Sequence, residues 1–256
     1  MKRHGFIIII AILLAGAGCR PNDLAANKAT ALPAAIKWTN AGKNTARYEC
    51  DPPACAAKMV VYRFPKDGFS WRFENTAAPL TVQGHLMADP KAVFAINGVY
   101  FDEKNLPTGL FITNDAVVGT KQYEMGKSAV LELAPEIKII NTAKDEFNGK
   151  NISEAAQSYP LLIADGVVQK VAAEKAARRS FAGLDKQGNV YFGIIPDDEV
   201  SLASAASLIA KTGVAWTDVL NLDGGPSSGL AANLPGANET VNSIVQVPNA
   251  IIADPK

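Results

Sequence analysis

The chain has 256 residues, of which 48% are hydrophobic and 20% are charged, and its formal net charge at pH 7 is zero. This length and composition predict one sizeable globular domain with a real core. The absence of a basic run gives no support for nucleic-acid binding through phosphate neutralisation, so we expect no nucleic-acid partner.

The N-terminus predicts a secretory signal peptide over residues 1–18. A basic pair precedes an apolar run at residues 6–14 that is too short to span a bilayer. We therefore expect an exported protein, either released into the periplasm or held at a membrane. Residues 15–17 fit ordinary cleavage after small residues. Residues 17–19 resemble the end of a bacterial lipobox, although Gly16 stands where a lipobox usually has leucine.

Three cysteines favour the lipid-anchored alternative. Cys50 and Cys55 are close enough in sequence to close a small disulfide loop in an oxidising compartment. Cys19 is then left over directly after the signal segment, which predicts lipidation and a membrane partner at the N-terminus. The spacing of Cys50 and Cys55, with two prolines between them, argues against metal ligands.

The domain is expected to follow a tether. Residues 19–46 are rich in Ala, Asn, Thr, Pro and Lys without periodicity, which is typical of a flexible linker. We place the folded domain at residues 47–256.

Strand patterns dominate that domain. Residues 59–64 and 69–73 flank a Pro-Lys-Asp-Gly turn and predict a hairpin, and residues 92–96 predict a buried strand. Two more hairpins are predicted, around Asp165-Gly166 and around the turn at residues 185–189. Further strands are expected at residues 110–113, 116–119, 129–133, 137–140, 218–222 and 250–253.

One helix is strongly indicated. Ser201 can cap it, apolar residues follow at helical spacing, and Gly213 ends it. A weaker helical pattern covers residues 172–177. Many strands with few helices predict an α+β fold: a single domain on a mixed, largely antiparallel β-sheet.

The most informative stretch begins at residue 219. An apolar strand delivers Asp223 into a loop that contains two glycines and two serines. Glycine allows positive φ and close approach of backbone N–H groups to a ligand, and the serine hydroxyls add donors beside the carboxylate. A tight turn is the structural alternative, but two glycines followed by Pro-Ser-Ser-Gly exceed what a hairpin requires.

Other catalytic devices are poorly supported. The loop matches G-x-S-x-G, but no histidine follows it, so a serine hydrolase is not expected. His85 is expected to be structural, and no P-loop lysine follows the glycines. Arg179, at the start of a strand, can bind an anion bidentately; the alternative is an arginine that is only solvated. Asn97 ends a buried strand, where it could bind a ligand; the alternative is an asparagine that only forms a turn.

Taken together, these motifs resemble the phosphodiester glycosidase family in order over residues 59–253. The block at residues 220–228, Asn-Leu-Asp-Gly-Gly with its serines, is the most specific. The other matching blocks are residues 95–102, 107–110, 159–166, 179–183 and 247–251.

The resemblance implies hydrolysis of the glycosidic C–O bond of a sugar-1-phosphodiester in an envelope or extracellular glycan. It implies that Asp223 acts at the anomeric carbon, that Arg179, the loop N–H groups and Ser227 or Ser228 hold the phosphate, and that Asn97 fixes a sugar hydroxyl. The substrate-binding residues implied are Gly224, Gly225, Ser227, Ser228, Asn221, Asn249 and Tyr100.

Two departures and two alternatives accompany this hypothesis. Pro226 stands where the resemblance implies a third glycine and removes one N–H donor, and Gln246 stands where it implies a basic residue. The alternatives are a non-catalytic carbohydrate-binding envelope protein and a metal-dependent phosphodiesterase. We expect no cofactor; in the metal alternative, Mg²⁺ or Ca²⁺ is bound by Asp223 with Asn97 or Asn221.

Overall fold

The computed structural model describes residues 37–119, 129–171 and 175–256, which lie in one compact unit. The predicted signal peptide and Cys19 lie outside these residues. In chain order, the elements are β1 (Thr39–Gly42), β2 (Thr45–Cys50), β3 (Met59–Phe64), β4 (Phe69–Leu80), α1 (Val82–Ala88), β5 (Phe94–Asn97), β6 (Phe111–Thr113), β7 (Ala116–Val117), β8 (Ala129–Ala134), β9 (Lys138–Asn141), β10 (Glu154–Ser158), β11 (Leu161–Ala164), β12 (Val167–Val168), β13 (Ala177–Asp185), β14 (Val190–Val200), α2 (Leu202–Ala210), β15 (Trp216–Asn221), β16 (Leu230–Leu234), β17 (Ala237–Val241) and β18 (Val247–Pro255).

The strands form three antiparallel sheets. The largest has eight strands in the order β1-β2-β3-β14-β13-β15-β11-β12. Two five-stranded sheets have the orders β7-β6-β10-β8-β9 and β17-β16-β5-β18-β4. The predicted α+β class, with largely antiparallel pairing and few helices, is confirmed.

The eight-stranded sheet is buried on both faces because its strands alternate between two cores. Val60, Tyr62 and Phe64 of β3 enter the main core, which they share with the five-stranded sheets. Met59 and Val61 point to the opposite face, which α2 covers. The Ser201 hydroxyl caps α2 by accepting from the Ser204 N–H, so the predicted helix and its cap are confirmed.

The sheet that contains β5 has the same two-sided burial. Phe94 and Ile96 of β5 face the main core. Ala95, between them, packs against the face covered by α1. The sequence pattern does not predict α1, a seven-residue helix that contains Gly84. The Thr81 hydroxyl caps this helix by accepting from the Gly84 N–H at 3.0 Å.

Several local predictions are corrected. The strands at residues 59–64 and 69–73 exist but do not form a hairpin, because β3 pairs with β2 and β14 whereas β4 pairs with β18. The turn between them crosses from one sheet to another, and the rings of Phe64 and Phe69 meet in the core at 5.1 Å. Residues 39–46, placed in the tether, form β1, its turn and the start of β2.

Other local predictions have mixed outcomes. The hairpins around Asp165-Gly166 and residues 185–189 are confirmed as β11–β12 and β13–β14. Residues 172–174 of the weaker helix lie outside the described residues, and Ala177 begins a strand instead. Cys50 and Cys55 form the expected disulfide, with Cα atoms 6.0 Å apart. Within the described ranges, neither helix has the length and hydrophobicity needed to cross a bilayer.

Candidate active site

Two strands from different sheets bring the main candidates together. β5 of a five-stranded sheet ends at Asn97, and β15 of the eight-stranded sheet ends at Asn221, two residues before Asp223. The Asp223 N–H donates to the Gly98 carbonyl at 3.1 Å and joins the two strand ends directly. The site therefore lies where the two sheets meet.

Asn97 is the hydrogen-bonding centre of this junction. Its side chain is 1% exposed, and its Nδ2 donates to the Asp223 carbonyl at 2.7 Å. Its Oδ1 accepts from the Ser180 hydroxyl at 2.7 Å and from the Gly229 N–H at 3.1 Å. Because both ends of the amide are used inside the protein, Asn97 is placed to position the loop that carries Asp223 rather than to contact a sugar hydroxyl.

The Asp223 carboxyl has a perturbed acidity. Burial raises its pKa to about 6, because desolvation disfavours the charged form. Hydrogen bonds from the Ser227 hydroxyl and the Gly224 N–H lower the pKa by a smaller amount. The Gly224 N–H donates to Asp223 Oδ1 at 2.9 Å. The carboxyl therefore changes charge near neutral pH, which is typical of groups that transfer protons.

The glycines of the loop are required for different reasons. Gly225 has φ of +60° and begins a short 3₁₀ turn, and a Cβ there would meet open space. Gly224 has extended backbone, but a Cβ there would lie 3.1 Å from the Arg178 carbonyl oxygen. Gly224 thus permits close approach to β13, and Gly225 permits the left-handed turn.

The glycine loop has fewer free backbone N–H groups than the sequence suggested. The Gly224 N–H is taken by Asp223, and those of Ser227 and Ser228 donate to the Gly224 and Gly225 carbonyls at 3.3 and 3.2 Å. Pro226 has no N–H to offer. Three of the four N–H groups of residues 224–228 are therefore used within the loop, which leaves that of Gly225.

Arg179 lies beside the loop. Its Nε donates to the Val200 carbonyl at 3.0 Å and its Nη2 to the Lys175 carbonyl at 2.6 Å. Its Nη1 lies 3.6 Å from the position that a Cβ on Gly224 would occupy. Two backbone carbonyls therefore fix the guanidinium with Nη1 next to the glycine loop.

An aromatic pair stands next to the end of β15. The Tyr100 ring stacks on Tyr159 with centroids 4.7 Å apart, and Tyr159 is 37% exposed. Asn221 Nδ2 donates to the Tyr100 hydroxyl at 2.7 Å. Among the described residues, Asn221 Oδ1 is buried without a hydrogen-bond partner, as are Ser228 Oγ and Asn249 Nδ2. Such atoms are typical of places that hold an ordered water or a ligand.

The loop before β18 contacts the glycine loop and forms another side of the candidate site. The N–H groups of Ile244 and Val245 donate to the Pro226 carbonyl at 2.7 and 3.2 Å. Asn249 Oδ1 accepts from the Val99 N–H at 2.7 Å and so holds the segment after β5. Gln246 is exposed in this same loop. The residues that depart from the family pattern, Pro226 and Gln246, thus lie in two loops that contact each other.

Metal binding was a sequence-based alternative. No group of three or more His, Cys, Asp or Glu side chains with metal-binding geometry occurs in the part of the chain that the structure describes. Asn97, one of the proposed ligands, is committed to Ser180, Gly229 and Asp223. Asn221, the other proposed ligand, has its Oδ1 buried without a hydrogen-bond partner among the described residues, so the metal alternative stays a prediction to be tested.

Sequence reasoning missed three residues that complete the site. Ser180 holds Asn97, Tyr159 stacks on Tyr100, and Ile244 ties its loop to the glycine loop. Ser180 and Tyr159 lie within blocks of the family resemblance, which was the available signal. Ile244 had none, because only its backbone makes the contact.

Comparisons with known proteins identify a family and similar folds. A family model described as phosphodiester glycosidase matches residues 90–253. A hypothetical protein from Synechocystis has a TM-score of 0.60 at 15% identity, over 86% of this chain; the chain spans 64% of that protein. The catalytic domain of zebrafish N-acetylglucosamine-1-phosphodiester alpha-N-acetylglucosaminidase has a TM-score of 0.59 at 13% identity, over 87% of this chain and 89% of its own. No curated protein matches the chain significantly in sequence.

Proposed function

Because the chain belongs to the phosphodiester glycosidase family, we propose that it hydrolyses the glycosidic C–O bond of a sugar-1-phosphodiester. The observation that carries this proposal is the partly buried Asp223 carboxyl, with a pKa of about 6, at the head of a glycine loop that Arg179 flanks. A carboxylate acting at the anomeric carbon and a fixed cation at the phosphate are together sufficient for cleavage of a glycosyl phosphate.

In the proposed reaction, a water oxygen forms a bond to the anomeric carbon while the bond from that carbon to the phosphate oxygen breaks. The electron pair of the broken bond stays on the phosphate, and the water proton passes to Asp223 and then to solvent. The products are the free sugar and a phosphomonoester. The departing phosphomonoester is a weakly basic leaving group, so it needs charge stabilisation more than protonation.

Arg179 is the proposed charge stabiliser. Its Nε and Nη2 are held by backbone carbonyls, which fixes Nη1 beside Gly224 without further loss of side-chain entropy on binding. The Gly225 N–H and the buried Ser228 hydroxyl are proposed as further donors to the phosphate. Tyr100, Asn221 and Asn249 are proposed to line the sugar side; Asn97 is proposed as a positioning residue.

The proposed substrate is an envelope or extracellular glycan, and this rests on the predicted signal peptide and on lipidation of Cys19. Both remain predictions, as does the absence of a cofactor. The carbohydrate-binding protein and the metal-dependent phosphodiesterase remain the alternatives against which the proposal is tested.

The decisive experiment is hydrolysis of N-acetylglucosamine and glucose 1-phosphodiesters in ¹⁸O-labelled water. We expect the label on the anomeric oxygen of the released sugar and loss of turnover in Asp223→Asn. Asp218→Asn is the matched control, because Asp218 is a partly buried acid in β15, the strand that leads to Asp223. Label in the phosphate would favour the phosphodiesterase, and ligand binding without turnover would favour the binding protein.

A further inference from the structure

A second concave surface lies far from Asp223. It is a groove of about 590 Å³ at the other end of the eight-stranded sheet. β13 runs from the end that holds Arg179 to Asp185, which lines this groove, and six residues of strand span about 20 Å. The residues that carry the argument are Trp38, Arg63, Asp185, Gln187, Asn189 and Tyr191.

Aromatic side chains form the floor of the groove. Trp38 is half-buried, with its ring centroid 5.6 Å from Tyr48 and 5.9 Å from Tyr191. Tyr191 in turn packs edge-on against Trp216 at 4.7 Å. The indole is therefore held in one orientation before any ligand arrives, and its exposed part offers the apolar surface on which the C–H groups of a sugar pack.

The groove also contains a cation without an ion-pair partner. The Arg63 guanidinium lies 5.7 Å from the Trp38 ring centroid, and no carboxylate pairs with it among the described residues. Asp185 makes no ion pair with Arg63; its oxygens accept from the Gln187 and Asn189 N–H groups, Asn189 Nδ2 and the Tyr191 hydroxyl at 2.8–2.9 Å. The Arg63 side chain itself is hydrogen-bonded to Tyr191. A guanidinium that makes no ion pair within the described ranges favours a carboxylate or phosphate on the ligand.

Amide groups supply the remaining recognition chemistry. Gln187 is exposed, and its side chain makes no hydrogen bond within the described ranges. Asp185 fixes Asn189 through Nδ2, which leaves Oδ1 of that amide to accept from a ligand. Amides have both donors and acceptors and therefore suit sugar hydroxyls.

We propose that this groove is a binding site for an acidic sugar unit of a glycan, separate from the catalytic residues. Trp38 contacts the apolar face of the sugar, Arg63 binds its carboxylate or phosphate, and Gln187 and Asn189 bind its hydroxyls. Such a site would hold the protein on an anionic polymer whether or not Asp223 turns a substrate over.

The test is calorimetric titration of the full chain with trigalacturonate, phosphorylated maltotriose and neutral maltotriose. We expect both acidic sugars to bind at least tenfold more tightly than maltotriose. The two acidic sugars separate carboxylate from phosphate recognition. Failure of both to bind the parent protein would overturn the proposal.

Variants locate the binding. Arg63→Gln should remove the preference for acidic sugars, and Trp38→Ala should weaken binding at least tenfold. Gln187→Ala changes an exposed side chain without risk to folding and should weaken binding severalfold. Asp223→Asn should bind as the parent does. Parent-like binding by both Arg63→Gln and Gln187→Ala, or loss of binding in Asp223→Asn, would contradict the assignment.

Discussion

Asn97 and Asp223 are joined by a hydrogen bond of 2.7 Å, from the Asn97 amide nitrogen to the Asp223 backbone carbonyl. These residues are 126 positions apart; Asn97 ends β5, and Asp223 lies two residues after the end of β15, which belongs to a different sheet. The bond places the carboxyl-bearing residue relative to the core without touching the carboxyl itself. Its role in positioning is therefore separable from the chemistry of Asp223.

Asn97→Ala should reduce both stability and turnover. The change leaves the Ser180 hydroxyl, the Gly229 N–H and the Asp223 carbonyl without their partner, and we expect a loss of about 2–4 kcal/mol in the free energy of unfolding. Urea denaturation measures the stability, and kcat measures the activity. Asn233→Ala, at an exposed position in β16, should change neither by much; equal losses in both variants would contradict the positioning role.

The raised pKa of Asp223 predicts the pH dependence of stability. Its folded-state pKa is about 6, above the value of about 4 expected in the unfolded chain. The folded state therefore binds more protons between these values, and stability is lost as pH rises from about 4 through 6. Asp223→Asn should be more stable than the parent by up to about 3 kcal/mol at pH 8. Matching pH profiles for parent and variant would show that the carboxyl is not buried as described.

The same group predicts the pH dependence of catalysis. If Asp223 accepts the water proton, kcat/KM should rise with pH, with an apparent pKa near 6, because only the ionised carboxylate is active. A pH–rate profile on a sugar-1-phosphodiester measures this. The Asp218→Asn variant should show the same rise of kcat/KM with pH. A kcat/KM that falls as the pH rises through 6 would assign Asp223 as an acid instead.

Arg179→Lys tests the proposed role of Arg179 in stabilising the charge of the phosphate. Lysine keeps the charge but cannot make the backbone bonds to Val200 and Lys175 and still reach Gly224. We expect kcat/KM to fall at least tenfold. Arg63→Lys, on the distant groove, should leave kcat/KM unchanged, and an equal fall in the two variants would argue against a specific role for Arg179.

Gly225→Ala separates backbone strain from function. Gly225 and Gly188 both have positive φ, at +60° and +80°, so alanine should cost about 1–2 kcal/mol of stability at either position. Only Gly225 lies in the loop with Asp223, so only Gly225→Ala should also lower kcat. Thermal unfolding and steady-state kinetics on both variants give the comparison. A parent-like kcat for Gly225→Ala would show that the left-handed turn is not needed for activity.

Much of the local structure could be predicted from sequence. The Ser201 cap, the Asp165-Gly166 turn, the alternation of β3 and the Cys50–Cys55 spacing each depend on neighbouring residues. The glycine loop with Asp223 is recognisable for the same reason, because positive φ and strand-to-loop transitions leave compositional signals. Each of these features follows from residues that are close together in the chain.

Long-range packing decided the rest. The partners of β3 and β4 depend on which sheet each strand joins, and a four-residue turn does not specify that. The raised pKa of Asp223 depends on burial by distant segments, and the Asn97 amide is committed by partners on other strands. The groove beside Trp38 likewise combines residues from β3, β14 and the turn after α2. Strand pairing and desolvation are properties of the assembled sheets, so residues that are neighbours in the sequence do not specify them.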